Sequence, residues 1–276
     1  MAKNNSTGSH PSNPPNTLAK MKEHACKLAL WLLHLLASCV MAVCRAGQLA
    51  RQRLWPAAQT PPLAVMCADA RRLQKRPQHL GIILVEPDMC WQTLADIILW
   101  SMAYGIEYVS VYERSGRVRE SAAAQLRPLL ARRQRHLFAT TAASVRFVDD
   151  GTADGDVGDG CSGAAHRVTV ALLWEPDGVA DMVAAARRLC GQVAAGARQP
   201  GSIDRHMFGD ELRAARRWPD PALALKLGSL PALLGYLPWQ LRLTEILDAP
   251  ARRPLTYADF RRLMVTYGGI QQRLGS

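Results

Sequence analysis

The pattern of hydrophobic and polar positions is most legible between residues 79 and 112, HLGIILVEPDMCWQTLADIILWSMAYGIEYVSVY. Residues 80–85 form an apolar, uncharged run, long enough for one buried strand and too short for a helix. Thr93 and Asp96 stand at capping-box spacing, and Leu94, Ile97, Ile98, Ser101 and Met102 then share one helical face. Gly105 ends that helix where a left-handed residue is needed. Residues 106–112, rich in β-branched and aromatic side chains, read as a second strand. Strand, helix and strand in this span predict a right-handed crossover between parallel strands, hence an α/β fold.

Further along, the pattern predicts a helix over 119–136 despite Pro128, a short strand at 145–148 and another over 166–174. Residues 177–195 read as a helix with Gly178 at its N-terminus, 202–218 as a helix with a basic face, and 223–227 as a short strand. Residues 233–247 mix aromatic and aliphatic side chains around Pro238 and Trp239, and 257–272 make a last helix. The late apolar segment suits core packing or a subunit interface. Between these elements, 149–165 (DDGTADGDVGDGCSGAA) lacks the calcium-loop register and its closing Glu, so it reads as a flexible solvated loop.

Upstream the pattern changes. Residues 28–43, LALWLLHLLASCVMAV, are apolar all round with His34 as the one strongly polar side chain. The stretch is near the lower bound for a spanning helix, and a signal peptide or a buried core helix would share its composition. Arg-rich residues follow it, which opposes cleavage and translocation, so a membrane anchor over 26–44 is the reading we adopt. Residues 1–25 are expected to be a disordered polar N-terminus; Asn4 and Asn5 head two overlapping glycosylation sequons that matter only if this end is lumenal.

Charge sharpens the picture. The formal charge is +11, and residues 45–76 carry Arg45, Arg51, Arg53, Arg71, Arg72, Lys75 and Arg76 against a single acid, Asp69. Such a block fits nucleic acid or an anionic membrane surface; no nucleic-acid motif accompanies it, and an anchor precedes it. Residues 45–78 are therefore expected to be a basic juxtamembrane linker, with the globular part (79–276) in the cytosol by the positive-inside rule. The seven cysteines are odd in number and contain no C-x-x-C pair, which argues against a disulfide framework or a zinc site.

In α/β sheets chemistry usually sits beyond the carboxyl ends of the strands. After the first strand that edge reads Val85-Glu86-Pro87-Asp88, with no Gly-rich cradle, Arg pair or nucleophile. Glu86 and Asp88 could ligate Mg²⁺, but loop carboxylates are usually just solvated, and the strand end reads as vacant.

The segments PDPALALKLG and LLGYLPWQLRLTEI and the terminal RLG resemble the Nogo-B receptor family, the non-catalytic subunit of eukaryotic cis-prenyltransferase (dehydrodolichyl diphosphate synthase). The resemblance extends back through HLGIILVE, WSMAYGIEYVSVYERSG and EPDGVADMV, covering most of residues 79–276. It implies the undecaprenyl diphosphate synthase-like fold, a mostly parallel sheet flanked by helices. Competent members of the wider family carry H-x-x-x-x-x-D-G-N-R, whose Asp holds Mg²⁺ and an allylic diphosphate. Counting from His79, Val85 stands at that Asp, and an apolar side chain cannot coordinate a hard cation. At the family's N-Y-G-G-R stands EPDGV, residues 175–179; at its R-T-x-G-E-x-R-x-S stand Lys226, Leu230 and Ala232 for the first Arg, the Glu and the second Arg.

What the resemblance implies is an accessory subunit, inactive alone, in the endoplasmic reticulum membrane. The catalytic partner would bind Mg²⁺ and the allylic diphosphate and add isopentenyl diphosphate units in cis. The product would be a long polyprenyl diphosphate, precursor of dolichol for protein glycosylation. Arg273, Leu274 and Gly275 would reach into the partner's site to help hold isopentenyl diphosphate, with the guanidinium and unobstructed amides its dense charge needs. Tyr236, Leu237, Trp239, Leu241, Leu243, Ile246 and Leu247, with the last helix, are the expected partner surface. A receptor or scaffold without catalytic role is the alternative, and a self-sufficient prenyltransferase a third.

Overall fold

The computed structural model describes residues 17–54, 60–86, 90–148, 165–216, 218–249 and 254–271. The chain divides into two compact units, residues 1–55 and 56–276. The first contains one helix, α1 (Thr17–Leu54), which begins inside the stretch expected to be disordered and runs past the expected anchor into the basic block.

In the second unit a short helix, α2 (Leu63–Arg71), precedes the first strand, β1 (His79–Leu84). Then follow α3 (Trp91–Ala103), β2 (Tyr108–Glu113), α4 (Arg117–Ser121), α5 (Arg127–Leu137), β3 (Ala143–Val148) and β4 (His166–Leu173). The chain continues with α6 (Val179–Ala194), α7 (Arg205–Arg216), β5 (Leu223–Leu227), β6 (Glu245–Ala249) and α8 (Tyr257–Gly269). The strands form one six-stranded sheet in the order β3-β4-β2-β1-β5-β6, and every pairing is parallel. This is the α/β architecture expected.

β1 lies between β2 and β5, so all six of its residues are buried. That explains why residues 80–84 are continuously apolar rather than alternating. On one face of the sheet, α3 buries Leu94, Ile97, Ile98 and Trp100 in the main core, and Trp100 packs against Tyr257 and Phe260 of α8 at 5.7 and 5.6 Å between ring centroids. Tyr236, Leu237, Ile83, Val85 and Tyr112 form a smaller second core.

Three local expectations are corrected. The capping box at Thr93 and Asp96 does not form: α3 starts at Trp91, and the Asp96 carboxylate pairs with Arg133 of α5. Burial pushes the Asp96 carboxyl up, with the Arg133 hydrogen bond and charge pulling the other way. The helix expected over 119–136 is real but contains a π-helical turn at Ala122–Leu126. Pro128 explains it, because a residue without an N–H leaves the carbonyl four positions earlier without an α-type donor. Residues 45–78 are not all linker. Met66 and Ala70 of α2 are in the core, and Asp69 accepts a hydrogen bond from the Tyr257 hydroxyl at 2.9 Å and pairs with Arg261 at 3.1 Å. Gly105, by contrast, has φ +72°, the left-handed conformation its position predicts. The loop expected over 149–165 and the sequons lie, but for Ala165, outside the described residues.

Candidate functional site

The carboxyl ends of β1, β2, β4 and β5 meet at one edge, where an open groove of about 470 Å³ is lined by Val85, Glu86, Glu113, Arg114, Arg117 and Glu175 among others. Val85 continues the pairing of β1, its N–H donating to the Leu227 carbonyl at 3.1 Å. Its isopropyl group is 7% exposed and faces Gly228, where a Cβ would lie 2.4 Å from Val85 Cγ2. Gly228 has φ +126°, so this contact needs glycine on two counts. Glu86 is tied down beside it: Oε1 accepts from the Ser229 N–H at 2.8 Å and the Ser229 hydroxyl at 2.7 Å.

The neighbouring strand ends are committed in the same way. The Glu113 carboxylate accepts from the Ser115 hydroxyl at 2.7 Å, the Ser115 N–H at 2.9 Å and the Arg117 N–H at 2.9 Å. Burial alone would raise its pKa, but the Ser115 and Arg117 donors and the Arg117 charge together hold it below the usual value. After β4, Asp177 Oδ2 accepts from the Trp174 N–H at 2.8 Å, and Gly178 abuts the Gly235 carbonyl closely enough that a Cβ would meet it at 2.3 Å. Lys226 donates to the Leu230 carbonyl at 2.8 Å and pairs with Asp248 at 2.9 Å. A hard cation needs about six oxygen donors. Among the described residues no three His, Cys, Asp or Glu side chains converge, and Glu86, Glu113 and Asp177 already accept protein N–H and O–H groups. The donor set described at this edge does not fit Mg²⁺; Asp88 lies outside the described residues.

From the amino end of β1 runs a buried hydrogen-bond chain. His79 Nδ1 lies 2.7 Å from the Pro219 carbonyl, His79 Nε2 lies 2.8 Å from Ser110 Oγ, and Ser110 Oγ lies 2.7 Å from the Tyr236 hydroxyl. A carbonyl only accepts, so the His79 proton sits on Nδ1 and Nε2 accepts from Ser110. The Ser110 oxygen is then left to accept from Tyr236, and the chain has one direction. Burial lowers the His79 pKa to about 4, the nearby Arg216 charge adding to it and the Pro219 hydrogen bond opposing, so the ring is neutral at physiological pH. Burial raises the Tyr236 phenol. Gly81 makes the arrangement possible, since a Cβ there would lie 2.3 Å from the Tyr236 hydroxyl.

Of the residues expected at a partner surface, Tyr236 and Leu237 are buried in the second core. Leu241 is half-buried against the same core, Leu247 is half-buried against the main one, and Trp239 packs edge-on to Phe208 at 4.7 Å. Leu243 and Ile246 are exposed, at 58% and 40%, and Ile246 lies on β6, an edge strand. Arg273, Leu274 and Gly275 lie outside the described residues. In the other unit, His24–Val43 is a 20-residue stretch of mean hydropathy 1.9, unburied throughout. At about 1.5 Å per residue it measures about 30 Å, the thickness of a bilayer's hydrocarbon core.

No family model matches the chain. Dehydrodolichyl diphosphate synthase complex subunit Nus1 of Mus musculus is 35% identical over 221 residues, 79% of this chain and 72% of that protein. The chain belongs to the Nus1, or Nogo-B receptor, family. The Homo sapiens subunit of the same name is 33% identical over 211 residues, 75% of this chain and 70% of that one. Among solved structures, a probable undecaprenyl diphosphate synthase from Campylobacter jejuni aligns with a TM-score of 0.49 at 17% identity, over 73% of this chain and all of that one. In this Nus1-family chain, sequence reasoning missed the Glu86–Ser229 clip and the His79–Ser110–Tyr236 chain. A glycine inside a buried strand signals close approach by another group, and Gly81 carried that signal.

Proposed function

We propose that this chain is the non-catalytic subunit of a dehydrodolichyl diphosphate synthase complex, anchored by α1 in the endoplasmic reticulum membrane with its globular unit in the cytosol. The catalytic partner binds Mg²⁺ and the allylic diphosphate and carries out the cis condensations with isopentenyl diphosphate. The chain contributes Arg273, Leu274 and Gly275 to the diphosphate site of that partner, and Leu243 and Ile246 to the surface that meets it. The observation that carries the reading is Val85. Where a magnesium carboxylate would stand, an aliphatic side chain is packed onto Gly228, and the acid beside it is spent on Ser229. A long isoprenoid gains roughly 0.8 kcal/mol per buried CH₂, so its synthesis belongs beside a bilayer.

The test is chain elongation by the co-purified complex with and without residues 273–276. Truncation is expected to cut turnover while the two chains stay associated, and the lone chain is expected to be inert. Unchanged turnover would instead favour a binding scaffold.

A further inference from the structure

We propose that Lys75 is a positioning residue for the C-terminal tail, acting through the end of α8; the inference rests on the tail's role in the partner's site given above. The last carbonyls of a helix have no partner within it, and a cation there satisfies them and complements the helix dipole. Lys75 does this from outside the helix. Its Nζ donates to the Ile270 carbonyl at 2.5 Å and lies 4.6 Å from the centroid of the buried Tyr267 ring. The segment carrying it runs along the last turn of α8. A Cβ on Gly268 would find the Lys75 carbonyl at 3.7 Å, the Gln74 nitrogen at 3.8 Å and Leu73 Cδ2 at 4.0 Å. A few residues earlier, Asp69 accepts from Tyr257 and pairs with Arg261, so one short stretch, 69–75, grips both ends of α8.

Ile270 is three residues before Arg273. Three residues span at most about 10 Å, so where the tail starts limits where its guanidinium and amides end. A fixed root lowers the ordering cost of any ligand contact made just after it, and a loose one raises it. Lys75 therefore touches no substrate. It holds the carbonyl of Ile270, three residues before Arg273.

The experiment uses the full chain in complex with its catalytic partner, and reads KM for isopentenyl diphosphate and for the allylic diphosphate separately. Lys75→Met keeps the stem and removes the cation. It is expected to raise KM for isopentenyl diphosphate about tenfold, the loss of one charge-assisted hydrogen bond, and to leave KM for the allylic diphosphate unchanged. Lys75→Arg should recover most of the loss, and in a chain lacking 273–276 Lys75→Met should add nothing. If truncating the tail impairs the enzyme but Lys75→Met does not, the inference is overturned and the proposed function stands. If truncation itself has no effect, the function fails and this goes with it. A complex that dissociates on Lys75→Met would also overturn it, placing the lysine in assembly.

Discussion

Gly81→Ala is the most direct test of the packing of Tyr236 against β1. The added methyl would lie 2.3 Å from the Tyr236 hydroxyl, 2.9 Å from Cζ and 3.1 Å from Cε1. Neither side can yield cheaply. β1 is hydrogen-bonded to strands on both edges, and Tyr236 is fully buried with its hydroxyl 2.7 Å from Ser110. Overpacking a core costs about 1–3 kcal/mol, and a buried hydroxyl driven off its partner costs about as much again. We expect a loss of about 3 kcal/mol in urea denaturation followed by tryptophan fluorescence. Tyr236→Phe alone should cost about 1 kcal/mol, because Ser110 still donates to His79 and a single hydrogen bond is lost. Combined with Gly81→Ala it removes the 2.3 Å contact, so the double variant should be more stable than the two single losses predict, by about 1 kcal/mol. Simple additivity, or a Gly81→Ala protein within about 0.5 kcal/mol of its parent, would refute the reasoning.

Two further predictions concern the same region. Because burial depresses the His79 pKa from 6.5 to about 4, the unfolded chain takes up a proton first as pH falls. The stability His79 allows is thus complete above pH 6.5 and drains away down to pH 4, by up to about 3 kcal/mol; a His79→Gln protein should show a flatter stability profile across that window, and an unchanged slope would count against the neutral buried ring. Val85→Asp puts a carboxylate at a 7% exposed position next to Glu86, and should lower stability by about 2–4 kcal/mol without giving the lone chain elongation activity in Mg²⁺; measurable elongation would sink the proposal that the reaction centre belongs to the partner.

What the sequence disclosed was whatever local pattern decides. The uncharged run of β1, the glycine stop after α3 and the bounds of β5 follow from neighbours in the chain, and the structure agrees with them. What it concealed depends on residues far apart. Asp96 has the spacing of a cap, yet Arg133, 37 residues on, competes for it and wins. Asp69 read as a stray acid in a basic block, while its partners on α8 come 188 and 192 residues later. Leu63, Met66 and Ala70 do have helical spacing, but three apolar positions among so many charges are too few to mark a buried face by themselves. Aromatic and aliphatic residues serve cores and interfaces alike, so the burial of Tyr236 against Gly81 is not legible from its own neighbours in the chain.

The same long-range commitments bear on how hard the strand-end groove would be to return to diphosphate chemistry. A site for a dense anion keeps donors unsatisfied until the ligand arrives, so that the ligand's lost hydration is replaced. Here Lys226 is engaged by the Leu230 carbonyl and Asp248, Asp177 folds back on the Trp174 N–H, and Glu86 is clipped to Ser229. Val85 meanwhile fills the space that Gly228 leaves. Each of these contacts stabilises the chain that makes it, and each would have to be broken before a ligand could use the group. No single substitution reopens the groove.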